Sequence, residues 1–335
     1  MTTEQPMGTM KAIVRAVYGS PDVLTLKDVD TPVPTDDQVL VRVHAASVNA
    51  YDWHMVRGLP YLLRMSEGLR RPTTSATGID LAGRVEAVGK NVTQFRRGDE
   101  VFGQRSGAFA EFVCSREINL ARKPANLTFE QAAAVPMAGF TALQGLRDKG
   151  LLQPGQRVLI NGASGGVGTF AVQIAKALGA EVTGVCSTRN VDMVRSIGAD
   201  RVIDYTREDF TKGGHRYDLI MDIASSRSLS ACRRVLAPHG IFVLVGAAGG
   251  PDRQGRWLGP LTSFLKVLLL SRFVSQRMVP FMAKRSNEDL IVLTELIESG
   301  KVTPVIDRTF PLSRTADAIS YLEEGHAQGK VVITV

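Results

Sequence analysis

Arg157-Val-Leu-Ile-Asn-Gly-Ala-Ser-Gly-Gly-Val-Gly168 is the stretch from which the rest of the chain can be read. Val158, Leu159 and Ile160 make a short apolar run suited to a strand buried on both faces of a parallel sheet. Glycines follow at Gly162, Gly165, Gly166 and Gly168, and then Val167, Phe170, Ala171, Ile174, Ala175 and Leu178 recur at helical spacing. Strand, glycine turn and helix form the first unit of a dinucleotide-binding fold. The glycines let the chain turn sharply, let a pyrophosphate approach bare backbone and let the helix pack close, and the helix N-terminus offers unpaired N–H groups. A purely structural glycine turn would carry the same letters; the strand before it and the helix after it favour the nucleotide reading.

Downstream the alternation continues. Strands are expected at Glu181–Cys186, Arg201–Ile203, Asp218–Asp222 and Ile241–Val245, with helices at Val191–Ile197 and Ser228–Leu236 between them. That order predicts an α/β, doubly wound parallel sheet with its ligand beyond the strands' C-terminal ends. Upstream, Met10–Tyr18, Val23–Val29, Val39–Val48, Ile79–Val88, Glu100–Gly103 and Ala108–Val113 read as strands of a mostly antiparallel β domain. A helix is expected from Phe129 to about Arg147, with Thr128 as N-cap and Gln131 completing a capping box. The apolar residues between Trp257 and Met282 suggest a buried helix, interrupted by Lys266, Arg272 and Arg277 and so unsuited to span a bilayer. A lid, a subunit contact and weak membrane-surface attachment are the other readings of that segment. After a helix at Glu288–Ser299, the tail returns to β at Val305–Phe310 and Val331–Val335 around a helix at Arg314–Glu323. The last strand most simply rejoins the N-terminal domain, which gives a division into 1–125 completed by 302–335, and 126–301.

The chain has 335 residues and a formal charge of +7, enough for about two domains. Its basic residues are scattered among acids, which favours anionic small molecules over nucleic acid. Cys114, Cys186 and Cys232 lie far apart without metal-type spacing and suit a reducing cytosol. Residues 1–10 show no secretory pattern, so a cytoplasmic protein without stable membrane insertion is expected. An acid at the end of the second strand would bind the ribose 2′-OH of NAD. Cys186 stands there instead, followed by Ser187, Thr188, Arg189 and Asn190, donors that suit a 2′-phosphate and so favour NADP(H). Ser187 and Thr188 could equally cap the next helix.

Ala46-Ser-Val-Asn49, Gly78-Ile-Asp-Leu-Ala-Gly-Arg-Val85, Val88-Gly89, Gly98-Asp-Glu-Val101, Gly139-Phe-Thr-Ala142 and the glycine turn together resemble the medium-chain dehydrogenase/reductase superfamily over nearly the whole chain. The similarity is greatest to its zinc-independent quinone oxidoreductase-like branch. The resemblance implies a GroES-like catalytic domain, a Rossmann domain set between its two parts, hydride transfer in the cleft and a homodimer. It also implies cofactor contacts at Thr141, at Ser164 to Val167 around the pyrophosphate, at Ser187 and Arg189 for the 2′-phosphate, at Tyr205 for the adenosine ribose, and at Gly246 and Ala247 for the nicotinamide amide. The related reductases carry lysine where this chain has Asn190, which shifts the phosphate grip to Arg189. In the superfamily's zinc enzymes a cysteine and a histidine stand where this chain has Asn49 and Ile79, and an acid stands at Asp80. Amide and alkyl groups cannot replace thiolate and imidazole on zinc, so no metal is expected.

A site without a Lewis acid suits reduction of an electrophilic C=C or a quinone, since the developing oxyanion needs only hydrogen-bond donors and a proton. Asn49 is a candidate donor. His54 falls where the related reductases have tyrosine and either supplies the proton or shapes the pocket. A zinc-free alcohol or carbonyl dehydrogenase and a nucleotide-binding scaffold without turnover are the competing functions.

Overall fold

The computed structural model describes residues 8–245 and 275–335. Two sheets carry the fold. The first is a six-stranded parallel sheet made of β8 (Arg157–Asn161), β9 (Glu181–Cys186), β10 (Arg201–Asp204), β11 (Tyr217–Asp222), β12 (Leu236–Val245) and β13 (Arg277–Phe281). Its order is β10-β9-β8-β11-β12-β13, so the chain winds outward from β8 in both directions. Val158, Leu159 and Ile160 are fully buried, as expected of a central strand covered on both faces.

The second sheet has seven strands. It contains β3 (Gln38–Val48), β4 (Asp80–Val88), β5 (Glu100–Gln104), β6 (Phe112–Arg116), β7 (Leu120–Arg122), β14 (Ile306–Pro311) and β15 (Lys330–Thr334). β15 pairs antiparallel with β3, Val331 opposite Val48, so the end of the chain closes the sheet begun near its start. A small ribbon of β1 (Thr9–Val14) and β2 (Thr25–Asp30) lies beside it. The architecture is the expected α/β pairing of a GroES-like domain with a Rossmann sheet.

Several expectations shift. The single helix from Phe129 becomes α3 (Phe129–Ala133), capped by Thr128 and Gln131 as read, and a separate α4 (Pro136–Gln144), followed by a π-helical stretch at Gly145–Lys149. Pro136 has no N–H to continue the first helix and is preorganised to start the second. The strand expected at Ala108–Val113 is β6, four residues later, and Ala110 makes only a bridge to Ala12. The apolar segment at 257–282 is not one helix to its end: Arg277–Phe281 is β13, with Met278, Val279 and Phe281 in parallel register beside Phe242, Val243 and Val245 of β12. Its earlier part, 257–274, lies outside the described residues. No helix among the described residues is long and apolar enough to cross a membrane.

The elements that matter for the site are α1 (Ala50–Arg57), α4, α5 (Gly166–Ala177), α6 (Val191–Ser196) and, near the chain's end, α9 (Thr315–Glu323), the last in an order that also includes α2 (Arg64–Glu67), α7 (Leu229–Val235) and α8 (Asn287–Glu298). A bidentate Arg57–Glu323 pair at 2.5 and 2.7 Å, largely buried, ties α1 to α9.

Candidate functional site

The glycine turn folds as its spacing requires. Gly162 takes φ +93°, and its N–H and that of Ala163 donate to Val185 O of the neighbouring strand. At Gly168 a Cβ would lie 2.0 Å from Gly162 O and 2.7 Å from Ala163 C, so α5 can pack this close only with glycine. Gly165, the N-cap of α5, is different: a Cβ there would meet nothing nearer than Gly162 O at 3.7 Å. The packing of the protein itself does not need a glycine at 165, which leaves space before the first amides of α5 where a phosphate would fit.

The C-terminal ends of the flanking strands gather round this turn. Asn161 Nδ2 donates to Asp222 Oδ1 at 2.7 Å, and Ser225 N donates to the same oxygen at 2.9 Å, which fixes the loop after β11 against the loop after β8. Burial pushes the Asp222 carboxyl up to about 6, with those two donors opposing. After β9, Asn190 Nδ2 donates to Ser164 Oγ at 2.9 Å and to Ser187 Oγ at 3.2 Å, joining the glycine turn to the turn that follows Cys186. Its buried Oδ1 has no hydrogen-bond partner among the described residues. An open cradle at Gly165 and an orphaned amide oxygen beside Ser187 fit a dinucleotide, which these turns would hold by main-chain amides and hydroxyls.

Arg189 is exposed and donates to His326 O at 2.5 Å, across to the other domain. Tyr205 is half exposed on the loop after β10. Thr141 is buried on α4, its hydroxyl donating to Met137 O. Gly246 and Ala247 lie outside the described residues. The chain also brings up an acid that spacing along β9 did not reveal: Asp204, in register with Cys186, accepts from Thr188 Oγ1 at 2.6 Å and pairs with Arg207. The Thr188 hydrogen bond is the chief cause that holds its carboxyl below the usual range.

The opposite wall is built on buried polar groups. Asn49 follows β3 directly and caps α1; its N–H donates to Asp52 Oδ2 at 2.8 Å, half of a capping box. Its Nδ2 donates to Ser47 O at 3.2 Å and to Asp80 Oδ2 at 3.0 Å, so the amide hydrogens point inward. Asp80 is fully buried and also accepts from Ser47 Oγ, Gln104 Nε2 and Met137 N. Met137 N belongs to the first turn of α4, whose amides have no partner inside the helix and which favours negative charge. Lys330, at the start of β15, completes the cluster: Nζ donates to Asn49 Oδ1 and to Val48 O, and lies 3.9 Å from Asp80 Oδ2.

Burial raises the carboxyls of Asp80 and Asp52, the latter to about 7, and lowers the Lys330 ammonium, while the opposite charges resist these shifts. His54 is buried, stacks on Trp53, and its Nδ1–H donates to Leu59 O at 2.7 Å, so Nε2 is the ring nitrogen that this bond does not use. Lys330 escaped the sequence reading, since a lysine opening an apolar strand looks like an edge residue.

This donor set does not fit zinc. Asn49 turns its oxygen to an ammonium and its Nδ2 hydrogens to Ser47 O and Asp80, and no group of three His, Cys, Asp or Glu among the described residues could hold a metal.

A dinucleotide turn facing such a floor defines the class, a two-domain nicotinamide-dependent oxidoreductase. The chain matches the family described as Alcohol dehydrogenase GroES-like domain over residues 35–187 and the one described as Zinc-binding dehydrogenase over 197–333. It is 34% identical to the Chloroplast envelope quinone oxidoreductase homolog of Arabidopsis thaliana, covering 92% of this chain and 93% of that one. It is 35% identical to the NADPH-dependent alkenal/one oxidoreductase, chloroplastic, of the same organism, covering 97% of this chain and 79% of the relative. The solved quinone oxidoreductase from Coxiella burnetii superposes with a TM-score of 0.84 at 30% identity, over 98% of this chain and 99% of that one. The chain belongs to the medium-chain dehydrogenase/reductase superfamily, in its quinone oxidoreductase-like branch.

Proposed function

We propose that the chain is a zinc-independent, NADPH-dependent reductase of quinones or α,β-unsaturated carbonyls. The observation that carries this reading is the cleft floor of Asn49, Asp80 and Lys330, whose donors are set against one another rather than toward a metal. Relatives named as quinone and alkenal/one oxidoreductases agree with it. When bound, the nicotinamide supplies the hydride.

The chain's residues do the rest. The amides of Ser164 to Val167 hold the diphosphate at the N-terminus of α5, and Thr141 backs the nicotinamide. Ser187 and Arg189 receive the 2′-phosphate, with Tyr205 beside the adenosine ribose and Gly246 and Ala247 at the nicotinamide amide. Asn49 sets the electrostatics under the substrate, and His54 is the candidate proton donor through Nε2. The three free cysteines suit the reducing, cytoplasmic setting.

The test follows NADPH absorbance with matched substrates. An enone and a quinone are expected to be turned over, and the corresponding saturated ketone to be reduced at least 100-fold more slowly, because it needs the carbonyl polarisation that a metal would give. Equal rates would favour a carbonyl dehydrogenase; NADPH binding without turnover of any electrophile would favour a scaffold.

A further inference from the structure

Lys330 is 3% exposed and Asp80 is 0% exposed. A buried ammonium is a costly way to fill space, because an apolar side chain of similar volume would do so without desolvating a charge. Its surroundings say what it does. The stem crosses the glycine turn, where a Cβ on Gly166 would come within 2.9 Å of Lys330 Cδ, and the ammonium reaches 281 residues back in sequence to Asn49. The main chain runs the same way: Gly329 N donates to Ser164 O at 2.9 Å. One residue therefore joins the glycine turn to the floor under the substrate, beside Asn49 and Asp80, the two positions that the resemblance sets against a ligand and an acid of the superfamily's zinc enzymes.

We propose that Lys330 is a positioning residue that orders the floor in place of a metal: its ammonium fixes the Asn49 amide and neutralises Asp80, so that the groups under the substrate are held in one arrangement by a pair that adds no net charge. This rests on the reductase reading for its effect on turnover, but its structural part can be tested alone.

The experiment combines Lys330→Met, Lys330→Arg, Asp80→Asn and the Lys330→Met/Asp80→Asn pair with metal analysis of the wild-type protein. Lys330→Met strands a buried carboxylate and is expected to lower Tm by about 5–10 °C or to prevent folding. Asp80→Asn in the same chain removes that charge, and at least half of the loss is expected to return. Additive losses, with no recovery, would overturn the proposal whether or not a substrate is known.

In turnover at saturating NADPH, the folded Met variant, or the Met/Asn pair if Met alone does not fold, is expected to lose kcat on the order of 100-fold with KM for the enone changed less than about three-fold. Lys330→Arg, which keeps the charge, is expected to recover most of it. A neutral variant with wild-type kcat, or wild-type protein isolated with one zinc per chain and inactivated by its removal, would also overturn it. Absence of turnover in the wild type with every electrophile would instead count against the reductase reading and leave the stability cycle to decide the role of Lys330.

Discussion

The two walls of the cleft are made of different materials. The Rossmann wall presents backbone: the first amides of α5 and glycines whose missing Cβ atoms leave room. The GroES-like wall is a knot of side chains, in which Asn49, Asp80 and Lys330 hold one another in place. Each wall also buries a carboxylate, and the pair differs in a telling way. Asp80 has an ammonium 3.9 Å away, whereas Asp222 is held by an amide N–H and a backbone N–H and is pushed up to about 6. The carboxylate of the Rossmann wall is thus held by hydrogen bonds alone, and that of the GroES-like wall by an ion pair as well.

The largest effects come from breaking the backbone wall. Gly168→Ala is expected to destabilise the fold by about 3 kcal/mol or more, because the new methyl meets main-chain atoms at 2.0 and 2.7 Å that cannot step aside. Urea denaturation measures it. Gly165→Ala should leave stability unchanged or slightly raised, having a permitted φ of −82° and no protein atom nearer than 3.7 Å. Its cost is expected in binding alone, with Kd for NADPH rising on the order of 100-fold in a fluorescence titration. If both variants lost only stability, the turn would be structural rather than a phosphate cradle.

Asp222→Asn sharpens the contrast between the two carboxylates. A folded-state pKa raised from 3.8 to about 6 means that the folded protein binds the proton more tightly than the unfolded chain. This contribution is favourable below pH 4 and is lost as pH rises through 6. Ionised, the group costs up to about 3 kcal/mol. Asparagine keeps an Oδ1 for both donors that Asp222 now accepts, so the variant is expected to gain about 2 kcal/mol at pH 8, with the gain gone near pH 4. Thermal melts across that range check the sign. Asp80→Asn should show no such gain, since it leaves Lys330 without its counter-charge.

The same contrast explains what could be read from the sequence. The glycine turn, the strand–helix alternation and the Thr128–Gln131 cap are local: their partners lie within a few residues, so spacing reveals them. Lys330 and Asn49 are 281 residues apart, and only the antiparallel pairing of β15 with β3 brings them together. Asp204 escaped for a similar reason, because it reaches Thr188 from the next strand rather than from the end of β9. Met278, Val279 and Phe281 lie in a stretch whose apolar spacing suits a helix, yet they extend a parallel sheet, because the edge of β12 offered them backbone partners. Pro136 was visible in the sequence, and its power to divide a helix outweighed the apolar continuity around it.

The smallest expected effect lies at the rim, where the two walls meet. Arg189 now donates to His326 O of the GroES-like side, and Asp204 places a carboxylate 2.6 Å from the neighbouring Thr188 hydroxyl. A 2′-phosphate bound there would have to win the guanidinium while facing that acid, and charge-assisted hydrogen bonds would be its means. Arg189→Ala is expected to weaken NADPH binding roughly ten-fold and to leave NADH binding unchanged, since the dinucleotide without the phosphate has nothing at that position for the guanidinium to hold. Asp204→Asn should shift the ratio the other way, by a few-fold, through loss of repulsion. Paired titrations of both cofactors against both variants measure it. Equal weakening of NADPH and NADH by Arg189→Ala would mean that the arginine serves the contact to His326, and that the 2′-phosphate, if it is read at all, is read by Ser187 and the orphaned oxygen's neighbour Asn190 Nδ2.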